Sequence, residues 1–331
     1  WFTHAFFRQT LYEETFTPRR IRLHRQVGEA LEEVYSARLA EHASEMAEHF
    51  SNSSDDVGLG KALEYGEMAA GGAISVYAYS EAARLLEQAL DVQEVLDPDD
   101  RARRCDLLLS LGEALLPAGE YRRVMDVVAP EAFTLAEAVS DIPRASRACR
   151  IASDAIFRYG GIGMLSSPEY LHWVERADRY AQPDTTDRVY ANIRLSDVCR
   201  ADGKHTEARG LDLRAMELAR KLEDPEALYR AARSLLTSPV PPHREEERLQ
   251  VVREMSSHDQ SGVTAQTLGS WLGWSAQVLL DWGDRAGAEA MWEQVSQLAQ
   301  RTNIAGLLAG TLNSRAILAY LDGNLDDAVS G

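Results

Sequence analysis

Few side chains in this 331-residue sequence stand at spacings that perform chemistry. His42 and His49 lie seven residues apart beside Glu41, Glu45 and Glu48, which are nitrogen and oxygen donors of the kind that bind a divalent metal. The HExxH pattern, which sets two imidazoles on one helical face, is absent, so no metal site is expected. Gly71-Gly72 and Gly160-Gly161-Ile162-Gly163 are the glycine-rich stretches, and both lack the lysine and preceding strand of a phosphate-cradling loop. No GxSxG elbow occurs, and Cys105, Cys149 and Cys199 have neither paired spacing nor a Cys–His arrangement for nucleophilic catalysis. The residues therefore predict no active site, no metal and no cofactor of the chain's own.

Charge narrows the partners. The segment 1–26 carries five arginines against Glu13 and Glu14, so it takes +3 and leaves −20 for the rest of a chain whose net charge is −17. An acidic body of this size repels phosphate backbones, which excludes nucleic acid as a partner of the main part. The acidity also fits a solvated surface or attraction of a basic partner. With 45% hydrophobic residues there is ample core, and no apolar run is long enough to span a membrane. No signal pattern opens the chain, and three unpaired cysteines fit a reducing compartment, so a cytoplasmic location is expected. The start at Trp1 and the stop at Gly331, just inside a new helical pattern, lead to the expectation of a segment from a longer protein.

The elements that position any site emerge from a period. The stretch 107–128, LLLSLGEALLPAGEYRRVMDVV, reads as helix, tight turn at Gly119, helix. Gly203, Gly283 and Gly323 repeat that turn at one or two steps of about 40 residues, and looser turns fall in phase near residues 79, 161 and 243. Seven residues before each glycine stands Gly112, Ser196, Ala276 or Ala316, and five after it Val124, Ala208, Ala288 or Ala328. Small residues at fixed distances from a turn let two antiparallel helices approach closely. The count predicts six full hairpins and the opening of a seventh. Pro130 should kink or split its helix near Val128, and the turn Pro239-Val240-Pro241-Pro242-His243 should bend the array. Thr17 is expected to cap a helix with Pro18 in its first turn.

The small-residue and glycine phases resemble tetratricopeptide repeats, with units longer than the commonest ones. The fold class expected is all-α, a right-handed superhelical solenoid of antiparallel helix pairs over 36–331. A second resemblance lies at the N-terminus, in Phe2, His4, Arg8, Leu11, Tyr12, Glu13, Arg19, Arg20, Leu23, His24, Gly28, Glu29, Ala30 and Leu31. Their pattern resembles the end of the winged-helix module of bacterial signal-transduction ATPases of the STAND class, and continues through 47–50, 61–70, 79–90 and 97–115. It is specific over about residues 1–140 and generic beyond. The resemblance implies that 1–35 closes a winged helix, that an ATPase module using ATP and ADP belongs to the parent protein, and that the output is a class III nucleotide cyclase or a LuxR-type regulator. It also implies that His4 contacts the phosphate of ADP in the intact protein.

In such arrays the first helix of each pair lines a concave groove. Carried over from the tetratricopeptide phase, the inward polar positions are Glu113, Arg158, Asp197, Arg200, Gln277, Asn313 and Tyr320. Their mixed sign suits a peptide, a protein segment or a small polar effector. Trp282 and Trp292 are expected in the core; Trp271 and Trp274 are candidates for the groove, with the core the favoured reading for them too. The function implied is a non-catalytic sensor and interaction module that controls the ATPase. The alternative is a stand-alone scaffold that binds protein peptides.

Overall fold

The computed structural model describes residues 12, 14–53, 55–239 and 245–326. Among these there is no strand, and helices follow one another through short turns. They are α1 (Thr17–Val34), α2 (Ala43–Ser51), α3 (Asp56–Ser75), α4 (Tyr79–Leu96), α5 (Arg101–Ala118), α6 (121–138), α7 (Ile142–Gly160), α8 (Pro168–Tyr180), α9 (Thr186–Ala201), α10 (His205–Leu222), α11 (Pro225–Thr237), α12 (Glu246–Ser256), α13 (Ala265–Asp281), α14 (Arg285–Thr302) and α15 (Ala305–Leu321). The chain forms two compact units, Trp1–Leu115 and Leu116–Gly331. In the first, α1 packs on α2, α2 on α3, and α3 on α4. In the second, α7 pairs with α8, α9 with α10, α11 with α12, and α13 with α14, while α7, α9, α11, α13 and α15 each pack on the next in that series. This is the array of antiparallel helix pairs that the period predicts.

The glycines explain why the pairs close where they do. Gly119, Gly203, Gly283 and Gly323 all adopt left-handed backbone, with φ of +85°, +76°, +81° and +79°. A Cβ there would crowd the following carbonyl, at a cost of about 1–2 kcal/mol. Beyond the turn, the small residues meet as expected. Ser196 and Ala208 are fully buried, and the Ser196 hydroxyl donates to the Ala208 carbonyl at 3.0 Å. Ala276 and Ala288, also fully buried, share a core cluster with Trp292.

Starts and interruptions have local causes. Asp55, Asp141, Ser167, Thr185, Asp224, Thr264 and Asp284 accept a backbone N–H from the first turn of the helix that follows each of them. α1 differs from expectation: Phe16, not Thr17, is its N-cap and supplies no side-chain bond, though Pro18 sits in the first turn. The segment before α2 opens as a 3-10 turn, Leu39–His42. α6 is split as Pro130 predicts, into Tyr121–Arg123, a π-helical turn Val124–Val128 and Ala129–Ala138. Proline lacks an N–H and its ring crowds the carbonyl four residues back, so the ladder widens and Ala129 N–H reaches Val124 O. Residues 240–244, most of the expected bend, lie outside the described residues, as do 1–11 with His4 and 327–331 with Ala328.

Trp271 and Trp292 are buried, whereas Trp274 is partly exposed and Trp282 is half-exposed. The core position expected for Trp282 is not found: it is the C-cap of α13, where the chain leaves the helix.

Two outcomes are expected. Gly283→Ala lowers stability by about 1–2 kcal/mol, whereas Gly72→Ala, at an exposed position of α3 with open space around its Cβ, raises it by about 1 kcal/mol. Thermal unfolding followed by circular dichroism reads both. Separately, His24 Nδ1 lies 3.0 Å from His49 Nδ1, and the Tyr12 hydroxyl lies 3.0 Å from His24 Nε2. Burial, then His49 and Arg20, push the His24 imidazole below its ordinary pKa against the opposing pull of Glu48. The unfolded chain then binds the proton more readily, so this contribution is complete near neutral pH and is lost as pH falls below about 6.5. His24→Gln should flatten the fall in unfolding midpoint between about pH 7 and about pH 5.

Candidate functional site

Asp154 stands on α7 seven residues before Gly161, the phase at which other pairs carry glycine, serine or alanine. Its carboxylate is only 2% exposed, and an ion there needs partners. Arg194 of α9 donates Nη2–H to Oδ1 at 2.5 Å, and Arg230 of α11 donates Nη1–H to Oδ2 at 2.9 Å. One carboxylate thus ties three successive first helices together.

The arginines carry the network outward. Arg194 also pairs with Asp197 at 2.8 Å, and Arg200 pairs with Asp197 and, at 2.9 Å, with Asp212 of α10. Ser234 donates to Asp212 at 2.7 Å, Ser238 donates to it as well, and Arg200 reaches Ser196 and Ser238. Arg230 pairs with Glu226 at 2.8 Å, and Glu226 in turn accepts from Thr267 Oγ1 at 2.6 Å and from Thr264 N–H at 2.9 Å. Aromatic rings back the guanidiniums: Phe157 lies under Arg194 and Arg233, at 5.4 and 5.8 Å, and Tyr190 under Arg230, at 5.2 Å.

A cleft of about 110 Å³ opens over this network, across α7, α9, α11 and α13. Arg158, Arg194, Arg230 and Arg233 line it with Asp154 as the sole carboxylate, and Phe157, Tyr190, Gln266, Thr267 and Ser270 share the wall. Burial alone would raise the Asp154 carboxyl, but the Arg230 and Arg194 guanidiniums beside it hold it far below the usual carboxylate range. Burial pulls Arg158 and Arg233 below the ordinary arginine value, Asp154 opposing this at Arg158 and Asp197 at Arg233. Burial also pushes the Tyr190 phenol up to about 12. Among the described residues neither Arg158 nor Arg233 makes a hydrogen bond or ion pair, and Arg233 Nε is buried with no acceptor. What the wall presents is mainly fixed donors, four guanidiniums with the hydroxyls of Thr267 and Ser270, which suit it to binding acceptor groups.

The inward positions read from the sequence divide among several places. Arg158 lines the cleft, and Asp197 and Arg200 belong to the buried network joined to it through Arg194. Gln277 and Asn313 line a second hollow with Trp274 and Trp292. Tyr320 is exposed near the end of α15, and Glu113 is half-buried on α5. Asp154, Arg194, Arg230 and Arg233 escaped the sequence reading. Arg230 and Arg233 stand 13 and 10 residues before the phase at 243, two of the positions that the tetratricopeptide phase turns inward, so that phase reaches them. Asp154 had a plainer signal, an acid at the phase that small residues hold before each of the four glycine turns.

No family model matches the chain, and no curated protein matches it. Among solved structures it resembles a Rap protein crystallised in complex with Competence and Sporulation Factor, at 11% identity and a TM-score of 0.56, over 94% of this chain and 95% of that one. The likeness is one of fold, and it supports the helical-repeat architecture over nearly the whole chain.

Asp154→Asn is expected to cost about 3–5 kcal/mol, because it leaves Arg194 and Arg230 without their shared carboxylate. Arg158→Ala, which breaks no pair, should stay within about 0.5 kcal/mol of the parent. Urea unfolding of both variants checks the contrast.

Proposed function

We propose that this chain is a non-catalytic regulatory module that binds an effector or a partner's segment in the cleft across α7, α9, α11 and α13. The observation that carries the reading is the pair of arginines, Arg158 and Arg233, which line the cleft and make no hydrogen bond or ion pair among the described residues, Arg233 Nε being buried without an acceptor. Leaving buried charge unpaired is costly, and a ligand that satisfies it recovers that cost on binding. The fold likeness to a Rap protein solved with a bound factor favours the same use of a helical-repeat surface.

The N-terminal resemblance supports a finer assignment, to a STAND-type signalling protein whose ATPase module, with ATP or ADP, lies outside the chain. Its output would be a nucleotide cyclase or a LuxR-type regulator. A bound effector changes such an equilibrium only if it has different affinity for the two states, and a cleft built from four successive first helices changes shape when their stacking changes. His4 would act at the phosphate of ADP, and 1–35 would form the junction to the ATPase.

A thermal-shift screen of the chain against nucleotides, sugars, amino acids and short peptides tests the reading. A ligand at a hundredfold excess over its dissociation constant adds about 2.7 kcal/mol to the native state. The expected result is a compound whose shift disappears in Arg158→Ala and persists in Tyr320→Ala. A silent screen would overturn effector binding and leave a scaffold for larger protein partners.

A further inference from the structure

We propose that the cleft ligand is a small molecule carrying two or more acidic groups, carboxylate or phosphate, which bridge Arg158 of α7 and Arg233 of α11. The inference rests on the cleft being the binding site and specifies what it takes.

The argument is a count of acceptors. Asp154 is divided between Arg194 and Arg230, Asp197 between Arg194 and Arg200, and Glu226 accepts from Arg230, Thr264 and Thr267. Asp212 accepts from Arg200, Ser234 and Ser238. Every carboxylate within this network is spent on other donors. Four arginines against Asp154 and the two acids paired with them, Asp197 and Glu226, leave a local charge of +1, inside a chain of net −17. Charges on the outer surface act over a Debye length of about 8 Å at physiological salt, whereas the cleft arginines act at contact in a partly desolvated wall. The local sign therefore prevails over the global one for a ligand already inside.

Charge sets the number of acidic groups. Helices α7 and α11 each pack against α9, so Arg158 and Arg233 approach a ligand from the two neighbours of one central helix. Two guanidiniums carry two positive charges: one carboxylate, shared as Asp154 is between Arg194 and Arg230, neutralises half of that charge, and a molecule with two or more acidic groups neutralises all of it. The Phe157 ring holds Arg233 against the wall, limiting its collapse toward solvent. Gln266 and Ser270 of α13 add neutral side chains that can donate to further oxygens. A basic peptide, which the chain's overall acidity suggests, would meet only like charge here.

Pyrophosphate, citrate and a tri-lysine peptide are the probes, titrated calorimetrically at low salt in a buffer free of multivalent anions. The proteins are the parent chain, Arg158→Gln, Arg233→Gln and the double variant. The expected result is one-to-one binding of pyrophosphate, citrate or both, weakened about tenfold or more by each single change and abolished by the double. Binding of pyrophosphate alone assigns a phosphorylated ligand, and of citrate alone a polycarboxylate. Affinity should fall as sodium chloride is added. Arg233→Gln should unfold at the parent's temperature or above it, because an unpaired desolvated charge has been removed; a purely structural arginine would lower it. Binding of neither anion, or equal binding to the parent and the double variant, overturns the proposal. Binding of tri-lysine in place of the anions also overturns it, while leaving intact the reading that this cleft receives an effector.

Discussion

The structure depends on how closely two antiparallel helices can approach before the chain must turn back. That distance is set by a left-handed residue between them and by small side chains on either side of it. Where Gly203 and Gly283 supply the turn, Ser196 meets Ala208 and Ala276 meets Ala288, all fully buried. A hairpin closed in this way still has an uncovered apolar stripe, which the next hairpin covers. Thus one local constraint, repeated about every 40 residues, generates the array without any long-range pairing.

In the middle of the second unit this rule is broken deliberately. Asp154 takes a phase that small residues hold elsewhere, and two arginines from neighbouring first helices close upon it. A buried ion pair of this kind contributes little net stability compared with an apolar contact, because desolvation consumes most of the Coulombic gain. What it supplies is position: the guanidiniums are oriented by fixed acceptors and by the faces of Phe157 and Tyr190. The result is a rigid cationic wall on an acidic protein, with Arg158 and Arg233 left over. Such preorganised donors lose little entropy when a ligand arrives.

The cleft wall offers guanidiniums, which stay protonated, a phenol whose pKa is pushed upward, and the neutral hydroxyls of Thr267 and Ser270. The chemistry these groups supply most directly is recognition by charge and hydrogen bonding, and a ligand that touches four successive first helices alters their stacking only through a different affinity for each arrangement.

The period, the turn positions, the helical class and the split at Pro130 were legible in the sequence, because each follows from interactions within about 40 residues. Glycine at a left-handed turn, a capping oxygen and a missing proline N–H act on the backbone nearby, and need no knowledge of the rest. The site was legible only in part. Arg158 emerged from its phase, yet whether an inward arginine is free or spent depends on acceptors from other helices: Asp197 and Arg200 hold the same kind of phase and are consumed in a buried network. Asp154 and Arg230 lie 76 residues apart and meet only because α7, α9 and α11 stack. Local sequence determined where the helices begin, turn and pair, and tertiary packing alone decided which of their charges are spent on one another and which remain unpaired.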